Sequence, residues 1–171
     1  SGETAPHYLV LCEEDLQEDG RFKMNPPLRS KQDKQALIKG IQDGTIEVIA
    51  TDHAPHSAAE KSRGLAKSAM GIVGLETAFS VLYTHLVRNG VITLESLVTL
   101  LSTNPNKRFD VGTVFDVGNA ADFCLYDLDD SYTINPETFC SMGRATPFAG
   151  QTVYGRCKLT VCNGEIVWRD L

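Results

Sequence analysis

Apolar and polar positions change rhythm once along the chain. Before about residue 110, short apolar runs alternate with segments of helical period; after it, short β-branched runs are separated by Gly, Pro and Asn. Residues 8–11 form a short apolar run read as a strand. Pro26 and Pro27 keep residues 23–29 out of a helix, because each proline pushes its predecessor toward extended backbone. Ser30 then reads as an N-cap with Asp33 three residues on. The helix it opens runs to about Gln42, with Ala36, Leu37, Ile38 and Ile41 near one face and Gly44 as its stop. Residues 46–50 predict a buried strand and residues 57–69 a small-residue, charged loop. Residues 74–89 predict an amphipathic helix with Leu75, Phe79, Leu82, Tyr83 and Leu86 on one face. Thr93 caps another helix that turns Leu94, Leu97, Leu100 and Leu101 inward, and Asn104-Pro105 opens a short turn or helix. Strands are expected at 122–128, 132–134, 152–154, 158–162 and 165–169, with Asn163-Gly164 as a two-residue hairpin turn.

The composition is that of an ordinary globular chain: 171 residues, 42% hydrophobic and 22% charged. A chain of this length buries roughly 70% of its unfolded surface, so a core forms without staples. No apolar run approaches the about 20 residues that span a bilayer, and no basic segment followed by an apolar one marks a signal peptide. The net charge of −6 disfavours nucleic acid and leaves room for a small anionic substrate at a local site. Five cysteines, with no C-x-x-C pair, read as reduced buried thiols of a cytoplasmic protein.

The chemistry concentrates at Thr51-Asp52-His53-Ala54-Pro55-His56, directly after the 46–50 strand. In parallel α/β folds, functional groups gather where strands end and loops leave the scaffold. Asp52 is the first acid after an apolar strand, a position suited to a metal ligand or a proton shuttle. Pro55 stiffens the loop, so a side chain such as His56 is held toward a ligand with less entropy lost. Asn25 lies one βα unit earlier and can share the same rim; its amide both donates and accepts. Met70-Gly71 leads toward a helix start, and a bare glycine permits close backbone approach. Arg29 reads as a salt bridge at the start of the following helix, and His7 as either a ligand or an isolated histidine.

Together these stretches resemble dihydroorotase, the class I bacterial form within the amidohydrolase superfamily. The likeness rests on ETAPH at Glu3–His7, KMNPPLR at Lys23–Arg29, DGTI from Asp43, IATDHAPH at Ile49–His56, GIVGLETA from Gly71 and TPFAG from Thr146. It implies the C-terminal part of a (β/α)8 TIM-type barrel plus a small β-sandwich module, with barrel sequence over residues 1–112 and the β module over 113–171. It implies a zinc enzyme interconverting N-carbamoyl-L-aspartate and L-dihydroorotate in pyrimidine biosynthesis. Asp52 matches the catalytic aspartate, which is also a zinc ligand; Asn25, His56, Met70 and Gly71 match substrate-binding positions. Met70 replaces the more usual Phe, and His7 matches a position not used for metal.

One departure outweighs the matches. The family's metal site needs a His-x-His, a bridging acid and further histidines, whereas this chain has only His7, His53, His56 and His85. One carboxylate and a neighbouring histidine fall short of the about three protein ligands of a catalytic zinc. The chain alone is therefore expected to be inactive and to bind zinc weakly or not at all. Its open strand edges predict a homodimer, rearrangement or pairing with a complementing N-terminal half. The alternatives are a non-catalytic dihydroorotase-like partner of, for example, a transcarbamoylase, or another cyclic amidase such as a hydantoinase or allantoinase.

Overall fold

In the computed structural model, which describes residues 1–170, β1 (Glu3–Thr4) and β2 (Val48–Ile49) run parallel, Thr4 opposite Ile49. A third parallel contact joins His53 to Ile72. The residues between β1 and β2 include α1 (Pro6–Val10) and α2 (Lys31–Asp43), so the crossover is a parallel β–α–β unit. The match to a barrel is partial: these short parallel pairings are what the described residues hold of it.

Residues 8–11 are not a strand. Ala5 is extended and Pro6 opens a helical turn, because proline's fixed φ suits the first helical position and its missing N–H costs nothing there. The strand lies just before, at Glu3–Thr4. α2 follows the sequence reading: Ser30 Oγ accepts from the Asp33 N–H (3.2 Å), and Asp33 Oδ2 accepts from the Ser30 N–H (3.2 Å) and hydroxyl (2.8 Å). These bonds hold the Asp33 carboxyl below its ordinary range. Ile41 is buried and Leu37 and Ile38 pack against the same core, but Ala36 is exposed. The expected 57–69 loop contains two helical turns, α3 (Ala58–Lys61) and α4 (Gly64–Lys67). Ser57 caps α3 through Glu60, a capping box that the charged composition obscured.

α5 (Ala78–Leu82) continues through a π-helical turn at Tyr83–Val87. Val81 and Leu82 are fully buried, whereas Leu75 precedes the helix and is 62% exposed, off the apolar face assigned to it. α6 (Leu94–Val98), capped by Thr93, runs through a similar turn into α7 (Asn104–Phe109). Leu9, Ile41, Ile49, Leu82, Leu86, Leu97 and Leu100 make one core between α1, α2, β2, α5 and α6.

The last third forms one antiparallel sheet of three strands, β3 (Phe123–Thr133), β4 (Thr152–Cys162) and β5 (Glu165–Arg169), in that spatial order. The five short strands read from the sequence merge into three. Acidic Asp129–Asp130 stays within β3 because Lys158 Nζ (2.7 Å) and Arg156 Nε (3.1 Å) meet the Asp130 carboxylate across the ladder, with a bulge between Asp127 and Ser131. Asn163 and Gly164 both take positive φ, as a tight hairpin requires. Among the described residues the only other sheet is the parallel β1–β2 pair, so the last third is a single three-stranded sheet and not the expected sandwich, and β5 is exposed along its length, Ile166 and Val167 included.

α5 ties this sheet to the rest. Ser80 Oγ donates to the Gly155 carbonyl (2.7 Å), the Tyr154 N–H donates to Thr84 Oγ1 (2.8 Å), and Phe79 stacks on Tyr126 at 3.9 Å. Beneath them Met24, Leu28, Ile72, Val81, Ile134, Phe148 and Val153 form a second core. All five cysteines are unpaired, but only Cys12 is buried; Cys124 and Cys162 are exposed on the uncovered sheet, and Cys140 in the loop between β3 and β4. No helix among the described residues is long and apolar enough to cross a membrane.

Candidate active site

Asp52 stands where β2 has ended. The Ala50 N–H still donates to the Thr4 carbonyl (2.9 Å), and two residues later the chain turns through φ +50° at Asp52. Among the described residues the other positive-φ positions besides glycine are Asp110, which ends α7, and Asn163 in the hairpin. Asp52 ends no helix and sits in no hairpin, so its strained backbone marks a site rather than a stop. The carboxylate is exposed at the rim.

Two loops close on this rim. In the first, Asn25 is exposed between two anchored neighbours: Lys23 accepts the Gly71 N–H at its carbonyl (3.0 Å), and Pro26 accepts the Tyr8 hydroxyl (2.7 Å). Met24, beside Asn25, is sunk in the second core. Burial, and then the negative charge of Asp52, push the Tyr8 hydroxyl up to about 12, so it stays a donor. Tyr8 therefore anchors the Asn25 loop within the field of Asp52, a role hidden while residues 8–11 read as a strand.

The second loop carries Met70-Gly71. His56 Nε2 donates to the Met70 carbonyl (2.9 Å), and its Nδ1 lies 3.8 Å from Glu60. The two candidate substrate-binding groups are thus bonded to each other, and the His56 Nε2 proton is already engaged. Gly71 takes φ +138°, and a Cβ there would fall 2.6 Å from Ala54 Cβ, so only glycine fits. Lys61, which the sequence reading passed over, donates from Nζ to the carbonyls of Lys23 (3.0 Å), Ala69 (2.7 Å) and Gly71 (2.7 Å). A lysine in a loop of small and charged residues carries no sequence signal for this.

His53 serves the scaffold. Its Nδ1 accepts the Gly74 N–H (3.1 Å), and Nε2 faces the Ser141 hydroxyl (3.4 Å). Glu76, also unremarked in the sequence, accepts the Cys140 (2.8 Å) and Ser141 (3.1 Å) N–H groups and fixes that segment against the His53 ring. Arg29 pairs with Asp33 (3.8 Å) on the surface, the structural role expected of it.

His7 is 1% exposed and its Nε2 lacks a partner. Burial lowers its pKa to about 4. It is an isolated core histidine. Between pH 4 and 6.5 the unfolded chain binds a proton here that the folded chain refuses, so stability rises with pH across that window and levels off above it. The gain is up to about 3 kcal/mol. Urea midpoints followed against pH should climb for the wild type and stay flatter for His7→Phe; equal slopes would exclude this account.

Zinc finds one carboxylate here. Among the described residues no three His, Cys, Asp or Glu side chains converge, and both His53 nitrogens face protein groups. The residues present do not make a zinc site by themselves. Beside His56, a cavity of about 280 Å³ is bordered by Asp19, Arg21, Lys61 and Arg144, with Arg21 paired to Asp19 at 3.5 Å. A larger cavity of about 600 Å³, between α5 and the sheet, touches none of Asn25, Asp52 or His56.

A parallel βα scaffold with an acid at the strand end and glycine-backed loops beside it has the outline of an amidohydrolase. The model of the amidohydrolase family matches residues 14–167, and the chain belongs to that family. It is 52% identical over 171 residues to a dihydroorotase of Anoxybacillus flavithermus and 50% identical over 170 residues to one of Geobacillus kaustophilus. Those alignments cover 99% and 98% of the chain but 40% of each relative, so the chain spans about two-fifths of their length. Among solved structures it is similar to a D-hydantoinase (29% identity, TM-score 0.88, 99% of this chain and 39% of that one). It is also similar to the dihydropyrimidinase from Brevibacillus agri (30% identity, TM-score 0.86, 98% and 39%).

Proposed function

We propose that this chain is the acid-bearing C-terminal part of a cytoplasmic dihydroorotase that interconverts N-carbamoyl-L-aspartate and L-dihydroorotate. The observations that support the reading are Asp52 at the end of β2, with its positive φ, and an Asn25 loop that is held by Tyr8 and bonded at Lys23 to Gly71. In the ring-opening direction Asp52 takes the proton of the attacking water and returns it to the departing ring nitrogen, a base that becomes an acid. Asn25 pairs with the polar edge of the substrate, using donor and acceptor together. The Met70 N–H, which no protein acceptor meets among the described residues, is left for the substrate, while His56 holds the Met70 carbonyl. Zinc would draw its remaining ligands from outside this chain, so the chain alone does not turn over. The barrel part ends near residue 112 and the β module follows it.

The hydantoinase-like structures favour a second reading, another cyclic amidase. Identity near 50% to dihydroorotases against 29% to that neighbour weighs toward the first. The test pairs this chain with the N-terminal remainder of the Geobacillus kaustophilus relative, adds zinc, and assays opening of dihydroorotate and of hydantoin. Turnover of dihydroorotate by the pair alone supports the proposal. Turnover of hydantoin alone supports the second reading, and a stable but silent complex supports a non-catalytic partner.

A further inference from the structure

Lys61 closes α3 and is 7% exposed, yet three neutral carbonyls receive its ammonium instead of a carboxylate. Burial lowers its pKa, so the cation is held at a cost that its three bonds offset. Their position is informative. The Ala69 and Gly71 carbonyls flank Met70, and the Lys23 carbonyl lies two residues before Asn25. The Gly71 N–H donates to that same Lys23 carbonyl (3.0 Å), so both loops meet at one ammonium. The site around Lys61 is further held by Ser68, whose hydroxyl donates to the Lys61 carbonyl (3.0 Å). Lys61 also borders the cavity beside His56, where Arg144 lies as well.

We propose that Lys61 is a positioning residue for substrate: by holding the carbonyls of Lys23, Ala69 and Gly71 it sets the Asn25 loop and the Met70-Gly71 backbone in one geometry, and its charge favours an anionic ligand beside them. The inference rests on the dihydroorotase reading for the identity of the ligand, but the tie between the loops is a property of the chain itself.

Two measurements separate those layers. Hydrogen exchange on the full chain compares the wild type with Lys61→Met and Lys61→Arg. The Gly71 amide loses protection roughly tenfold or more in Lys61→Met while the α2 amides keep theirs. In the zinc-loaded pair described above, Lys61→Met raises KM for dihydroorotate roughly tenfold or more with kcat within about threefold, and Lys61→Arg recovers part of the loss. Unchanged protection at Gly71, or an unchanged KM, overturns the proposal; so does a loss of protection that extends through α2, which marks a general fold defect. If the wild-type pair is silent, the dihydroorotase reading fails, and exchange at Gly71 alone decides the role of Lys61.

Discussion

Asp52→Asn in the reconstituted pair lowers turnover of dihydroorotate about 10²–10⁴-fold while leaving the fold intact. The amide has the shape of the carboxylate but cannot accept the proton of the attacking water. The substitution is also suited to the backbone: Asp52 sits at φ +50°, and Asn is among the few residues that enter this region readily. Asp52→Ala is a poorer probe, because alanine adds strain to the loss of the carboxylate. The kcat of Asp52→Asn, read beside its thermal midpoint, is the decisive pair of numbers. A midpoint unchanged within a few degrees with kcat down by orders of magnitude fits a proton carrier. A kcat close to wild type removes Asp52 from the chemistry.

Gly71→Ala destabilises the chain by about 2–4 kcal/mol and abolishes substrate binding in the pair. The new Cβ would meet Ala54 Cβ at 2.6 Å and the Ala54 carbonyl oxygen at 2.7 Å, on a backbone whose φ of +138° resists any side chain. The collision is with backbone and a short side chain, so neither can swing aside. Moving Ala54 would drag His56 and its bond to Met70 with it. Gly44→Ala is the control: it too has positive φ, but open space surrounds it. Its cost should be strain alone, about 1–2 kcal/mol, with no effect on substrate. Urea unfolding of both variants, with substrate affinity in the pair, separates strain from collision. Equal losses in the two would mean that the packing at Gly71 has no special role.

Local signals in the sequence were sound where one physical rule acted alone. Ser30 with Asp33, Thr93, and Asn163-Gly164 each satisfied nearby backbone groups or a tight turn, and each stands where the chain predicted it. The reading failed where two rules competed. At residues 8–11 an apolar run argued for a strand, but Pro6 at a helix start won. At residues 57–69 small and charged residues argued for a loop, and two helical turns formed instead, the first capped by Ser57. Leu75 matched the helical period but fell before the helix began, so it faces solvent.

The site divides in the same way. By itself the sequence determined the acid at a strand's end, the asparagine one unit earlier, the glycine at the rim and the shortage of metal ligands, because each follows from residue type and order. Only the folded chain decided that Tyr8 anchors the Asn25 loop, that His56 spends a proton on Met70, and that one lysine gathers three carbonyls from two loops. Those hydrogen bonds join residues 8 to 38 positions apart. Hydrogen-bond partners at that separation are chosen by the packing of α3 and the two cores, and no spacing along a chain encodes them.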